Sequence, residues 1–146
     1  MTTNSFNVGR DGAQITIFDS TLGQVTINGI TSFDSKPGTV KLKSVNISGG
    51  ITRRSIPDGH SGSFEVDRQD ATFDTYFANR EANYYGGLPP GAIFITQTIT
   101  ELDGTTTQFQ FTDVELYPED AGKYTGQEKV TQKFTFEAAR KIPLGV

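Results

Sequence analysis

The stretch AIFITQTITELDGTTTQFQFTDVELY, residues 92–117, decides the fold class. In its first half Ile93, Ile95 and Ile99 fall on one face of an extended chain, and Thr96 and Thr98 fall on the other. The second half alternates in the same way, with Phe109 and Phe111 opposite Gln108 and Gln110. Leu102-Asp103-Gly104 lies between them, and Asp-Gly tolerates the positive φ of a tight turn. A long antiparallel hairpin of segments 92–101 and 105–117 is therefore expected.

Moving outward, the period of two recurs. Segment 128–139 sets Val130, Phe134, Phe136 and Ala138 against Lys129, Thr131, Lys133, Thr135 and Glu137. Phe64 and Val66 share a face, as do Ile15 and Ile17, and in segment 24–33 Val25 and Ile27 do so until Asn28-Gly29 interrupts with a turn or a bulge. Segment 39–47 begins with Val40 and Leu42 on one face and ends with Val45 and Ile47 on the other, which predicts a bulge near Ser44 in a strand bending between sheets. The class is mainly β.

One segment changes period. Over residues 70–84, Phe73, Tyr76, Phe77, Arg80 and Tyr84 follow helical spacing, Asp70 is placed to cap, and Gly86-Gly87 with Pro89-Pro90 stops the run. The stripe is expected to pack on the sheet, with Phe77 buried at its centre and Arg80 laying its stem on apolar surface with its head in water. Residues 48–62 show no clean period and contain Gly49-Gly50, Arg53-Arg54 and Pro57-Asp58-Gly59. They read as an extended loop or loose hairpin, and a loop of that length in a compact domain is a candidate contact arm.

At 146 residues the chain has the length of a single domain, 1–146. Its hydrophobic content of 34% is lean, but eleven Phe and five Tyr bring large apolar area per side chain. A net charge of −4 argues against a protein that grips nucleic acid. Without cysteine there is neither disulfide nor thiolate site, and one histidine cannot form a multi-histidine centre. No cofactor and no metal are expected. Residues 1–12 are polar where a secretory signal would be apolar, and no run has the length of a membrane span, so the chain reads as soluble and unexported by that route.

Catalytic constellations are not apparent. The carboxylates fall in turns and on polar faces, and Asp58, His60 and Ser61 are neighbours in sequence without that implying a triad. Gly59-x-x-Gly62 precedes a strand, not the helix that a phosphate loop requires. A non-enzymatic role follows, and a carbohydrate-binding β-sandwich module is less well matched because most aromatics share faces with Ile and Val.

The run GHSGSFEVDR at residues 59–68, leading into 70–87 with its Tyr84-Tyr85-Gly86-Gly87 ending, resembles tail tube proteins of tailed bacteriophages. The segments Asp113-Val114-Glu115-Leu116, Asp120-Ala121-Gly122-Lys123-Tyr124 and VTQKFTFEAARK at 130–141 look like the closing strand pair of the same family. The resemblance implies two packed antiparallel sheets flanked by a helix, with six copies closing into a ring and rings stacking into a tube that conducts DNA. It implies a virion tail location after assembly in the host cytoplasm. The implied partners are further copies of the chain, a tail sheath if the tail is contractile, the tape measure protein, and baseplate and tail terminator proteins; DNA is only transiting cargo, and no membrane is involved. Tubes of contractile injection and secretion systems share this architecture and are the alternative. Residues 48–62 match the family's contact arm, making Arg53, Arg54 and His60 candidate inter-ring contacts. Thr96, Thr98, Gln108, Gln110, Thr131, Lys133 and Thr135 are candidate lumen residues, a neutral lining with Glu137 near enough to offset Lys133.

Overall fold

The computed structural model describes residues 13–144 apart from Thr26 and Asn28. The polar segment 1–12 and the Asn28 of the expected Asn28-Gly29 turn lie outside the described residues. Chain order is β1 (Ala13–Asp19), β2 (Gly23–Val25), β3 (Ile30–Val45), β4 (Ile51–Asp67), α1 (Thr72–Tyr85), β5 (Ile93–Thr100), β6 (Thr106–Thr112), β7 (Glu115–Asp120), β8 (Thr131–Ala138) and β9 (Arg140–Leu144). One sheet runs β2-β1-β5-β6-β9 and the other β3-β4-β8-β7, with antiparallel neighbours throughout. Among the described residues this is the mainly β architecture of two packed sheets and one helix that the alternation and the resemblance led us to expect.

The β5–β6 hairpin forms around Leu102-Asp103-Gly104, with Ile95 opposite Phe111 and Thr98 opposite Gln108. Gly104 takes φ +89°, and the Asp103 carboxylate accepts hydrogen bonds from the Thr105 amide and hydroxyl. The second strand is shorter than expected. It ends at Thr112 because Asp113 adopts φ +51°, a left-handed conformation that Asp tolerates better than most residues and that redirects the chain into the other sheet as β7. Segment 24–33 is likewise divided between the sheets, with Val25 ending β2 and Ile30 opening β3.

The sheets meet through Ile17, Ile93, Ile95 and Phe111 on one side and Phe64, Phe134, Phe136 and Leu116 on the other, all buried. The rings of Phe111 and Phe136 meet edge to face at 5.5 Å, and Phe33 stacks on Phe136 at the same distance. Each fully buried aliphatic or aromatic side chain contributes about 1.5–3 kcal/mol, so a few large rings offset the lean composition. Gly62 in β4 is required by this packing: a Cβ there would strike the Asp34 carbonyl oxygen and the Phe136 ring.

The helix corrects several details. Ala71, not Asp70, occupies the cap position, although the Asp70 carboxylate still accepts the Thr72 amide at 3.1 Å. Phe73 and Tyr76 are buried, with Phe73 and Phe134 ring centroids 4.6 Å apart. Phe77 stacks on Phe134 at 5.4 Å but is only half-buried, and Tyr84 is exposed, both lining an open groove beside the helix. The stop is as read: Gly87 has φ +78°, and the Leu88 amide donates to the Asn83 carbonyl.

Of the two forms expected for residues 48–62, an extended loop or a hairpin, the structure has the hairpin. Apart from the turn, these residues are the outgoing part of β4, paired with β3 from Val45↔Ile51 down the hairpin. The register slips between Ile30 and Ser32 and between Pro37 and Thr39, with no bulge near Ser44. The change of apolar face there has a different cause: this part of the hairpin stands clear of the core with both faces wet, so neither face has to be apolar.

Candidate functional site

β4 meets β8 only from His60 onward, so the nine residues Ile51 to Gly59 and their β3 partners project roughly 30 Å beyond the body at about 3.3 Å per residue. The arm ends in a tight turn, in which the Gly49 amide donates to the Asn46 carbonyl at 2.9 Å and Gly49 takes φ +87°. Val45 and Ile51 face each other at the tip beside exposed Ile47. Register places Lys43 opposite Arg53 on one face and Leu42 opposite Arg54 on the other, so the two arginines point apart. His60 lies at the root of the arm and sets its ring edge-on to Phe111 at 6.1 Å. Ser61, next in the strand, faces the other way opposite Glu137, so the chain-adjacent Ser, His and Asp do not converge.

The seven lumen candidates divide between opposite sides of the sandwich. Thr96 pairs with Gln110 and Thr98 with Gln108 on the outer face of the five-stranded sheet, where Thr16 and Gln14 join them across β1. Thr131, Lys133 and Thr135 lie on the outer face of the four-stranded sheet. One lumen cannot be lined by both sets, because the core separates the two faces. The four-stranded face is acidic. Lys133 lies opposite Glu65 on one side and Asp120 on the other, while Asp34 lies opposite Ser63 and Glu115 opposite Glu137. Lys129 is paired with Asp67 at 3.3 Å. Register thus sets Glu65 and Asp120, not Glu137, on either side of Lys133 across the strands.

A buried polar cluster fastens the helix to β1. The Asp19 carboxylate, 1% exposed, accepts from the Tyr76 hydroxyl at 2.7 Å, Arg80 Nη1 at 2.8 Å, and the Thr21 and Leu22 amides. Burial opposes its ionisation, yet these donors outweigh burial and leave its pKa below the ordinary carboxylate value. Burial, and then the bond to Asp19, raise the Tyr76 hydroxyl. Arg80 thus turns inward to an ion pair, contrary to the expected water-facing head, because Asp19 needs a counter-charge in the core. Sequence reading missed this cluster. Asp19-Ser20-Thr21 before Gly23 is a recognisable turn signal, but nothing local reveals that the Asp19 carboxylate is buried. Gln132, also buried, was hidden in the same way, and it donates to Asp74 and to the Ala121 carbonyl. Among the described residues no group of three His, Asp or Glu side chains is placed to hold a metal.

No family model and no curated protein matches the sequence. Solved structures do match. The sheath-tube complex of an extracellular contractile injection system (PVC, extended state) superposes with a TM-score of 0.63 at 10% identity over all of both chains. The tube terminating cap of the anti-feeding prophage gives 0.59 at 13% identity, covering 90% of this chain and 88% of that one. The SPP1 tail tube gives 0.58 at 9% identity, covering 92% and 77%. The chain has the fold found in tubes of contractile injection systems and in a phage tail tube.

Proposed function

We propose that this chain is the repeating subunit of a phage tail tube, six copies closing into a ring and rings stacking through the arm into a conduit for DNA. The observation that carries the reading is the arm together with the open edges of the four-stranded sheet. Among the described residues β3 and β7 each leave one edge unpaired along strands of 16 and 6 residues, whereas the edges of the other sheet are β2 and β9, of 3 and 5 residues. Long unpaired edges invite pairing with another chain, and ring closure is the arrangement that removes them all. The four-stranded sheet therefore faces the lumen in this reading, with Thr131, Lys133 and Thr135 among a lining rich in carboxylates. An acidic wall repels phosphate, so DNA passes without being held.

Arg53 and Arg54 on the arm, and His60 at its root, are the inter-ring contacts we assign. The role is structural and without catalysis, the location is the tail, and sheath, tape measure, terminator and baseplate proteins are the partners. Full-length superposition on the injection-system sheath-tube complex supports a second reading, a tube subunit of such a system. Negative-stain microscopy and light scattering of purified protein test both together. Rings or tubes at high concentration are expected, and a monomer at every concentration, even with preformed tube ends added, overturns both readings.

A further inference from the structure

Beside α1 lies a groove of about 490 Å³ walled by Phe77, Leu88, Pro89, Leu116 and Pro118 and rimmed by Glu81 and Glu115. Asp19 and Arg80 also line it, and their hydrogen bonds to each other and from Tyr76 to Asp19 fix this part of the wall without a ligand. The geometry points to the hairpin tip of a second copy of this chain as the occupant. This inference rests on the proposed self-assembly and names the surface that receives the arm.

Shape and charge both match. The tip offers Val45, Ile47 and Ile51, all exposed, which suits an apolar cleft. Behind it stand Lys41, Lys43, Arg53 and Arg54, with no carboxylate anywhere in residues 39–57. The chain is −4 overall, so with these four cations in the arm everything outside it carries −8, and the groove's Glu81 and Glu115 belong to that acidic remainder. Opposite fields on knob and groove steer the encounter and set its register. A subunit cannot fill its own groove, because the tip lies beyond one end of β4 while the helix walling the groove follows the other end. Knob and groove are different surfaces, so the contact is heterologous and repeats from copy to copy instead of closing as a twofold dimer.

The absence of native cysteine allows a direct test. Ile47→Cys and Leu88→Cys proteins, mixed, assembled and oxidised, are expected to yield covalent dimers, and the double variant a ladder of higher species. Ile47→Cys mixed with Thr98→Cys, whose cysteine lies on the outer face of the other sheet, is expected to yield none. Ile47→Asp and Leu88→Asp are each expected to raise the critical concentration for assembly about tenfold or more, the consequence of losing one buried aliphatic contact. Tubes that form without the 47–88 crosslink, or that crosslink equally well at 98, overturn the groove assignment and leave the tube intact. A chain that never assembles overturns the groove and the tube together.

Discussion

Replacing Asp19 by Ala tests whether the helix is held by charge as well as by rings. The substitution removes the acceptor of four hydrogen bonds and strands three kinds of donor: the Arg80 guanidinium, the Tyr76 hydroxyl and the Thr21 and Leu22 amides. Breaking a buried ion pair by deleting one partner costs about 3–5 kcal/mol. Arg80 is 19% exposed and keeps Glu115 at 3.7 Å, which places the expected loss in the lower half of that range. Arg80→Ala leaves Asp19 with Tyr76 and two amides, so it should cost less, about 1.5–3 kcal/mol, the worth of hydrogen bonds to a charged group. The assay is urea unfolding of monomeric protein with the slope monitored, closing a double-mutant cycle whose coupling should be about 1–3 kcal/mol. A loss below about 1 kcal/mol for Asp19→Ala, the size of an ordinary substitution, refutes the claim that this carboxylate anchors α1.

Because the folded-state pKa of Asp19 is lowered, its contribution is complete above the unfolded value of about 3.9 and is lost as pH falls through the folded one; Asp19→Asn should therefore make the acid limb of stability shallower below about pH 4, and an unchanged limb in pH-dependent unfolding counts against this. Phe134→Ala, at the centre of the ring stack, should cost about 3–5 kcal/mol by urea unfolding, whereas half-buried Phe77 should cost about 2 kcal/mol; equal losses would contradict the packing described. Two-stranded ribbons are marginal in water, so amides of residues 39–57 should exchange quickly in the free subunit and slowly in the tube, and equal protection in both states rules out the arm as a contact. Arg53→Glu together with Arg54→Glu should impair ring stacking, seen as loss of tubes by light scattering, with the monomer's circular dichroism unchanged. Assembled tubes should not retain duplex DNA in a mobility shift at low salt, and tight, salt-sensitive retention would show that the lumen or another surface binds it.

Local chemistry made much of this fold legible. Alternation identified β1, β5, β6 and β8, the change of period identified α1, and Asp103-Gly104 located the hairpin, because each signal lies within a few residues of chain. The arm was legible as an unusual segment, since Gly49-Gly50 and the paired arginines break the apolar period, and residues 39–47 as a strand, but whether 48–62 form a loop or a hairpin was not. Residues 51–58 are exposed on both faces, and a strand with two wet faces need not carry a periodic signature even where its partner β3 alternates Val40 and Leu42. What tertiary structure alone decided is which faces meet. Asp113 at positive φ sends β7 to the other sheet, and that choice sets Thr96 and Thr98 on the opposite side of the molecule from Thr131 and Thr135. It also brings Asp19 to Arg80, 61 residues away, and turns a residue that local spacing reads as surface into a buried ionic anchor, because burial of a charge is a property of everything packed around it.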